Sequence, residues 1–233
     1  MKKLLFLICL GMLFLPDLAE SSQISPGVSF GFRSGINFSI FTGEDSEYTL
    51  DLDFADIASA KPLIRYTGAL YLNIPLSEIY SLQPELIYSQ KGARWSESGD
   101  TQINNQQWEW KMSLVYELDY LEVPLLLKQK VSDHGYGYFG PQMGIILRGQ
   151  SCYKWELTHK IDGNLESEEE YSRRKDIKKN MNQLDFALAA GGSLEFKHLV
   201  FDGRFTYSLV SIKDSRFDDV RNSVLAVTAG LKF

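Results

Sequence analysis

The stretch VSFGFRSGINF, residues 28–38, alternates apolar and polar side chains along most of its length. One parity holds Val28, Phe30, Phe32, Ile36 and Phe38, and the other holds Ser29, Gly31, Arg33, Gly35 and Asn37. Successive side chains of a strand point to opposite faces, so this period of two predicts a β-strand with one apolar face and one polar face.

The same alternation recurs along the chain, whereas no segment longer than ten residues shows a clean period of 3.6. The further predicted strands cover residues 64–74, 81–89, 113–128, 138–148, 184–196, 201–209 and 222–233. Together with residues 28–38 they make eight strands. A tilted strand needs about 9–11 residues to cross a bilayer, which suits these lengths.

The segments between the predicted strands alternate in length. Long connections at 39–62, 90–112 and 149–183 and a medium one at 211–221 alternate with short ones at 75–80, 131–137 and 197–198. Bacterial outer-membrane barrels have short periplasmic turns and longer external loops. The sequence therefore predicts an all-β fold, an eight-stranded antiparallel up-and-down transmembrane β-barrel in the bacterial outer membrane.

The N-terminus has the features of a secretory signal peptide. Lys2 and Lys3 precede an apolar run at 4–15, which is followed by Pro16 and by the small residues Ala19 and Ser21. This apolar run is too short for a transmembrane helix, which needs about 20 residues. We therefore predict a signal peptide at 1–21 and an outer-membrane β-barrel domain at 22–233. Without Cys9, Cys152 has no cysteine partner, which excludes a disulfide framework.

The polar faces of the predicted strands carry nearly balanced charge. An unpaired buried charge costs several kcal/mol, so this balance predicts a structural network of ion pairs in a closed lumen, with the apolar faces toward lipid. The network residues are Arg33, Arg65, Glu85, Glu122, Arg148, Asp185, Glu195, Asp202 and Arg204. The alternative is a soluble periplasmic lipocalin-like carrier, whose apolar face would point inward.

Aromatic residues near the strand ends fit the interfacial girdles of a membrane barrel. Tyr116 and Tyr120 are expected on the apolar face, and the four tryptophans flank the long connections as an outer girdle or a ligand-contacting rim. The last strand ends in Leu231 and Phe233, which looks like the assembly signal that the barrel-assembly machinery recognises.

Catalytic, metal-binding and cofactor-binding residues are not predicted. His159 lies in the longest connection near Asp162 and several glutamates, but a general base also needs an orienting group and a nucleophile within reach. A surface enzyme acting on lipid or peptide through His159 is the alternative. The net charge of −6 and the pI near 5.2 argue against binding to nucleic acid.

The connection at 149–183 changes from acidic to basic along its length. Glutamates at 166 and 168–170 precede basic residues at 173–175, 178 and 179. It is either a solvated excursion or a surface that recognises a polyanionic headgroup or a partner protein.

Three segments resemble a known family. LQPELIYSQKGA (82–93), YLEVPLLLK (120–128) and GPQMGIIL (140–147) are similar to the PorT-like outer-membrane β-barrel proteins of Bacteroidetes. The resemblance implies an eight-stranded meander in contact with outer-membrane lipid, but no catalytic motif. The name-giving member serves protein secretion and gliding, so surface or secretion-complex proteins are expected partners.

Eight strands enclose a space that side chains can fill, so free solute flux is not expected. The sequence thus predicts a non-enzymatic barrel with a plugged polar lumen, whose external loops serve a structural, adhesive or secretion-associated role.

Overall fold

The structure is a computed structural model that describes residues 27–43, 60–104, 106–162, 164–212 and 219–233. The predicted signal peptide at 1–21 lies outside these residues. The described strands are β1 (Ser29–Thr42), β2 (Lys61–Pro75), β3 (Tyr80–Ile103), β4 (Gln106–Lys130), β5 (Gly135–Ile161), β6 (Asn164–Asp176), β7 (Leu184–Glu195), β8 (Leu199–Ser208) and β9 (Arg221–Lys232). In the described part of the chain, no helix has the length and apolar character needed to span a membrane.

Eight of the strands form a closed antiparallel ring. Neighbouring strands pair in the order β1, β2, β3, β4, β5, β7, β8 and β9, and β9 pairs with β1 to close the ring. This confirms the predicted eight-stranded barrel. β6 is outside the ring and pairs with the distal half of β5.

The outer wall of the barrel is apolar and its interior is polar. Leu70, Leu125 and Phe205 point outward with 57%, 45% and 50% of their surface exposed, whereas Arg33 and Glu85 are at most 4% exposed. This arrangement is the reverse of a lipocalin-like carrier and has the polarity of a membrane barrel, where lipid covers the outward apolar face.

Two of the predicted long connections are largely strand. β3 and β4 continue as a hairpin through residues 90–112, and β5 and β6 form a second hairpin within residues 149–183. β3, β4 and β5 have 24, 25 and 27 residues, far more than the 9–11 or so that cross a bilayer. Their distal parts and β6 therefore form a four-stranded sheet beyond the barrel rim, which we call the protruding sheet.

Three prolines lie within the barrel strands without shifting the register. Pro84 lies opposite Leu125, Pro124 opposite Gln142, and Pro141 opposite Leu188. The β3–β4 ladder omits the pairs between 84 and 87 and then resumes in the same register. The missing N–H of proline therefore interrupts the ladder locally, and no bulge forms at these positions.

Candidate functional site: a charged interior and a protruding sheet

The centre of the barrel interior contains two arginines and two carboxylates. An Arg33 guanidinium nitrogen lies 2.6 Å from Oε1 and 2.7 Å from Oε2 of Glu85, and another lies 3.1 Å from Asp202 Oδ2. Arg204 lies 2.9 Å from the Glu85 carboxylate, and Gln83 also donates to it. We call Arg33, Glu85, Asp202 and Arg204 the central cluster. Because its charges balance, burial does not leave a net charge there.

Two smaller groups of charges lie on either side of the central cluster. Toward the short turns, Glu195 pairs with Lys128 and, at 2.7 Å, with Lys232. Toward the long connections, Lys91 pairs with Glu122 and lies 3.6 Å from Asp185. The cavity beside these groups measures about 30 Å³, enough for about two water molecules.

Four of the cations in the central cluster and in the two groups beside it lie over a tyrosine ring. For the fifth, Lys232, no such contact occurs among the described residues. The distances from the cationic group to the ring centroid are 4.4–5.5 Å for the pairs Arg33–Tyr71, Lys91–Tyr120, Lys128–Tyr136 and Arg204–Tyr138. Tyr138 also donates a hydrogen bond of 2.6 Å to Asp202. The rings supply attraction to the cations and fill the space between them.

The structure brings most of the expected network residues into this interior. The residues it places there are Arg33, Glu85, Glu122, Asp185, Glu195, Asp202 and Arg204. It corrects the expected placement of Arg65 and Arg148. Arg65 pairs with Glu117, and their side chains are 31% and 21% exposed. Arg148 pairs with Asp119 at 2.9 Å, and its side chain is 46% exposed.

A register shift explains the correction of Arg148. Tyr120 lies opposite Ile146 and Asp119 opposite Arg148, so Leu147 is an extra residue in β5 that reverses the alternation beyond it. Arg148 consequently shares the face of Asp119, away from the lumen. Arg65 lies where β2 and β3 shift by one residue, between Pro62 and Thr67.

Three interior lysines were not among the predicted network residues. Lys91 continues the parity of Glu85 and Ser89, but the predicted strand ended at Ser89. Lys128 had the correct polar parity on β4, and Lys232 lies next to the C-terminus. Extending the period-two pattern past Ser89 would have identified Lys91.

The interior becomes apolar toward the long connections. Trp95 and Tyr116 are fully buried and make an edge-to-face contact at 5.6 Å between ring centroids. The buried cluster contains Phe41, Ala93, Trp95, Leu114, Tyr116, Leu118, Tyr120, Ile146, Ile177, Met181, Ile212 and Val220. Tyr116 and Tyr120 were expected in lipid-facing girdles, and Trp95 in an outer girdle or a ligand-contacting rim. The girdle prediction is wrong for all three residues. These rings point inward, where they pack above the charged layers.

One face of the protruding sheet is rich in aromatic and apolar side chains. Met112 lies opposite Trp155, and Trp155 opposite Tyr171, so these side chains share a face. Tyr171 also contacts Tyr153 at 6.3 Å between ring centroids. They line an open groove of about 820 Å³ together with Glu169 and Glu170. Trp155 therefore lies on this sheet and not in an aromatic girdle.

The opposite face of the protruding sheet carries charges. Lys154 donates a hydrogen bond of 2.9 Å to Glu170, and this bond raises the pKa of Lys154 above its usual range. Lys160 pairs with Glu109 on the neighbouring strand. Such exposed pairs contribute little to stability. This face of the protruding sheet is therefore polar and exposed to water.

His159 packs against a ring and has no catalytic partner among the residues described. It stacks on Trp108 at 3.7 Å between ring centroids, with an angle of 9° between the planes. Its Nε2 atom is buried without a hydrogen bond to any described residue. Within the same described ranges, no group of three or more histidines, cysteines or carboxylates could hold a metal ion.

The C-terminal residues join the last strand to the first. Phe233 exchanges backbone hydrogen bonds of 2.8 and 3.1 Å with Phe30, and their rings stack at 5.4 Å. Leu231 lies opposite Phe32 on β1 and Leu199 on β8. Both residues of the expected assembly signal therefore lie where the barrel closes.

A family model described as "Outer membrane protein beta-barrel domain" matches residues 20–214. The chain belongs to this family. The family and the outward apolar wall place the protein in the bacterial outer membrane, as the sequence predicts. No curated protein matches the sequence.

Several solved outer-membrane proteins are similar to this chain. Ail of Yersinia pestis is 14% identical, with 88% of this chain and 99% of Ail covered and a TM-score of 0.35. Neisserial surface protein A is 10% identical, with 89% and 99% covered and a TM-score of 0.46. OprG of Pseudomonas aeruginosa is 16% identical, with 88% and 95% covered and a TM-score of 0.30.

Proposed function

We propose that this outer-membrane barrel is a non-enzymatic anchor that presents the protruding sheet to macromolecules at the cell surface. The observation that supports this most is the sheet itself, which continues 24 to 27-residue strands past the barrel rim. Such a long hydrogen-bonded extension is unnecessary for crossing the bilayer. It holds an aromatic groove and a charged face rigidly away from the membrane.

The contents of the barrel support an anchoring role over a transport role. Charged layers occupy the lumen toward the short turns, and an apolar cluster fills it toward the long connections. The cavity beside the charged groups measures about 30 Å³, which is room for about two water molecules. We infer that the lumen is a structural plug.

The finer assignment is a PorT-like role in surface adhesion or in a secretion complex. Its support is the set of sequence segments quoted above and the presence of a protruding interaction surface. We also infer that residues 1–21 direct export and that the barrel-assembly machinery reads Leu231 and Phe233. The stacked ring of His159 favours a structural role for that residue over general-base catalysis.

Photo-crosslinking on intact cells tests the interaction role. A crosslinking amino acid at Tyr171, which lines the aromatic groove, should give discrete crosslinked products with surface macromolecules. The matched control places the same amino acid at Ile103, which is 61% exposed near the tip of the β3–β4 hairpin. Equal labelling from the two positions, or none from Tyr171, would contradict the proposal.

Conductance in planar bilayers tests the plug. The purified barrel should show no unitary current steps, because ion-paired and apolar side chains occupy its interior. Steady open-channel currents from the folded protein would show that the lumen conducts.

A further inference from the structure

β6 is a free strand edge. Among the described residues it pairs with β5 alone, and each of its 13 residues is exposed. One side of its backbone therefore presents unpaired N–H and C=O groups that another strand could bond. Proteins commonly protect such an edge with charged side chains. In β6 the glutamates come before the basic residues. These charges repel most incoming strands but attract a strand whose charges have the complementary order.

The order of charges in the central part of β6, residues 168–174, is complementary to itself when reversed. Its sequence is NLESEEEYSRRKD, with glutamates before Tyr171 and basic residues after it. An antiparallel second copy centred on Tyr171 places Glu169 opposite Arg173 of that copy and Glu168 opposite Arg174 of that copy. Two-fold symmetry repeats both pairs, so one edge contact contains four ion pairs, together with two like-charge pairs between Glu166 and Asp176 near the ends of the strand.

The residues needed for these pairs are available. Glu168, Glu169, Arg173 and Arg174 form no ion pair with another residue in the described ranges. Glu170 already pairs with Lys154, and in this register it lies opposite the uncharged Ser172 of the second copy. Cross-strand pairs of opposite charge stabilise a sheet, and like charges in the same positions destabilise it.

The same register joins two aromatic faces. Tyr171 of each copy lies opposite Tyr171 of the other, on the face that holds Trp155 and Met112. The groove of about 820 Å³ lies at this edge, so a second copy would extend it. The apolar area buried there adds to the backbone hydrogen bonds of the new strand pair.

Membrane orientation decides which copies can meet in this way. β6 runs from the β5–β6 hairpin tip back toward the barrel rim. Copies inserted in one membrane share this direction, because they are related by an axis along the membrane normal. Protruding sheets on two facing membranes run in opposite directions, as antiparallel pairing requires.

We propose that β6 is a homophilic adhesion edge, through which two copies on facing outer membranes pair antiparallel about Tyr171. The proposal rests on the interaction role proposed above and names a second copy of this chain as the partner. Contact between cells or vesicles is the expected result.

Vesicle bridging tests the proposal. Two populations of lipid vesicles carry the folded protein with the protruding sheet outward and contain different dyes, and two-colour fluorescence cross-correlation measures their joint diffusion. Wild-type vesicles should bridge. E168R/E169R vesicles and R173E/R174E vesicles should each bridge among themselves about tenfold less, because four attractive cross-strand pairs become repulsive.

Mixing the two variants gives the decisive result. E168R/E169R vesicles should bridge R173E/R174E vesicles at about the wild-type level, because the four pairs are attractive again. The control R94E/K179E carries the same charge change as R173E/R174E at exposed positions outside β6. It should bridge with itself normally, and it should bridge with E168R/E169R clearly less than R173E/R174E does, because two of the four cross-strand pairs are then repulsive.

Three outcomes would overturn the homophilic edge. The first is the absence of bridging by the wild type, and the second is the absence of rescue in the mixed population. The third is that R94E/K179E bridges E168R/E169R as strongly as R173E/R174E does, which would indicate net-charge attraction. Resistance of each variant to unfolding in cold detergent verifies its fold. If vesicles do not bridge but Tyr171 still crosslinks on cells, the partner is another molecule and the interaction role stands.

Discussion

The replacement Glu85→Gln tests the central cluster most directly. Glu85 is 4% exposed and accepts bonds from both Arg33 and Arg204. Glutamine keeps the size of the side chain but removes its charge, so Asp202 is the carboxylate left for two buried guanidinium groups. Removing one partner of a buried ion pair costs about 3–5 kcal/mol. We expect the free energy of unfolding to fall by that amount.

The assay is reversible urea unfolding in lipid vesicles, followed by tryptophan fluorescence. Glu117→Gln is the matched control, because it removes the same charge from the partly exposed pair with Arg65 and should cost less than about 1 kcal/mol. A second variant, Glu85→Gln with Arg204→Met, leaves Arg33 balanced by Asp202. It should recover part of the loss, because the surplus buried charge is gone. Equal losses from Glu85→Gln and Glu117→Gln would refute the reasoning.

Three further changes test other parts of the fold. Trp95→Ala removes a fully buried ring from the apolar cluster and should lower the free energy of unfolding by about 3–5 kcal/mol in the same urea assay; a loss under about 1 kcal/mol would indicate a loosely packed cluster. Leu125→Arg on the lipid-facing wall should lower the free energy of unfolding by about 2–4 kcal/mol, whereas Ile103→Arg on the protruding sheet should change it little. Similar losses from the two variants would show that the bilayer does not surround Leu125. Phe233→Ala should reduce the heat-modifiable folded protein in outer-membrane fractions several-fold, and an unchanged yield would remove Phe233 from the assembly signal.

Several features of the fold follow from local sequence alone. In the segment 28–38, each side chain's parity decides its face, because adjacent side chains of a strand point in opposite directions. The apolar parity therefore predicts the lipid-facing wall, and the polar parity predicts Arg33, Glu85 and Arg204 inside. These predictions need no knowledge of which strands pair.

The lengths of the strands were harder to predict. In residues 90–112 and 149–183, aromatic and charged side chains replace the aliphatic ones of a lipid-facing strand. Outside the bilayer an exposed strand does not need an apolar face, so the alternation that marks a membrane strand weakens there. The β3–β4 and β5–β6 hairpins are stabilised by pairing with each other, and this pairing is visible only in the assembled sheet.

The tertiary structure decided which face Arg148 occupies and which charged residues pair, because the register of a strand depends on its neighbours. The extra residue Leu147 in β5 moves Arg148 away from the lumen, although its sequence parity indicates the opposite. Ring closure brings Arg33 of β1 and Arg204 of β8 to Glu85 of β3, residues separated by 52 and 119 positions in the chain. Along most of each barrel strand the sequence by itself determined which side chains face lipid and which face the lumen. The register of the closed sheet determined where this alternation reverses and which interior side chains meet.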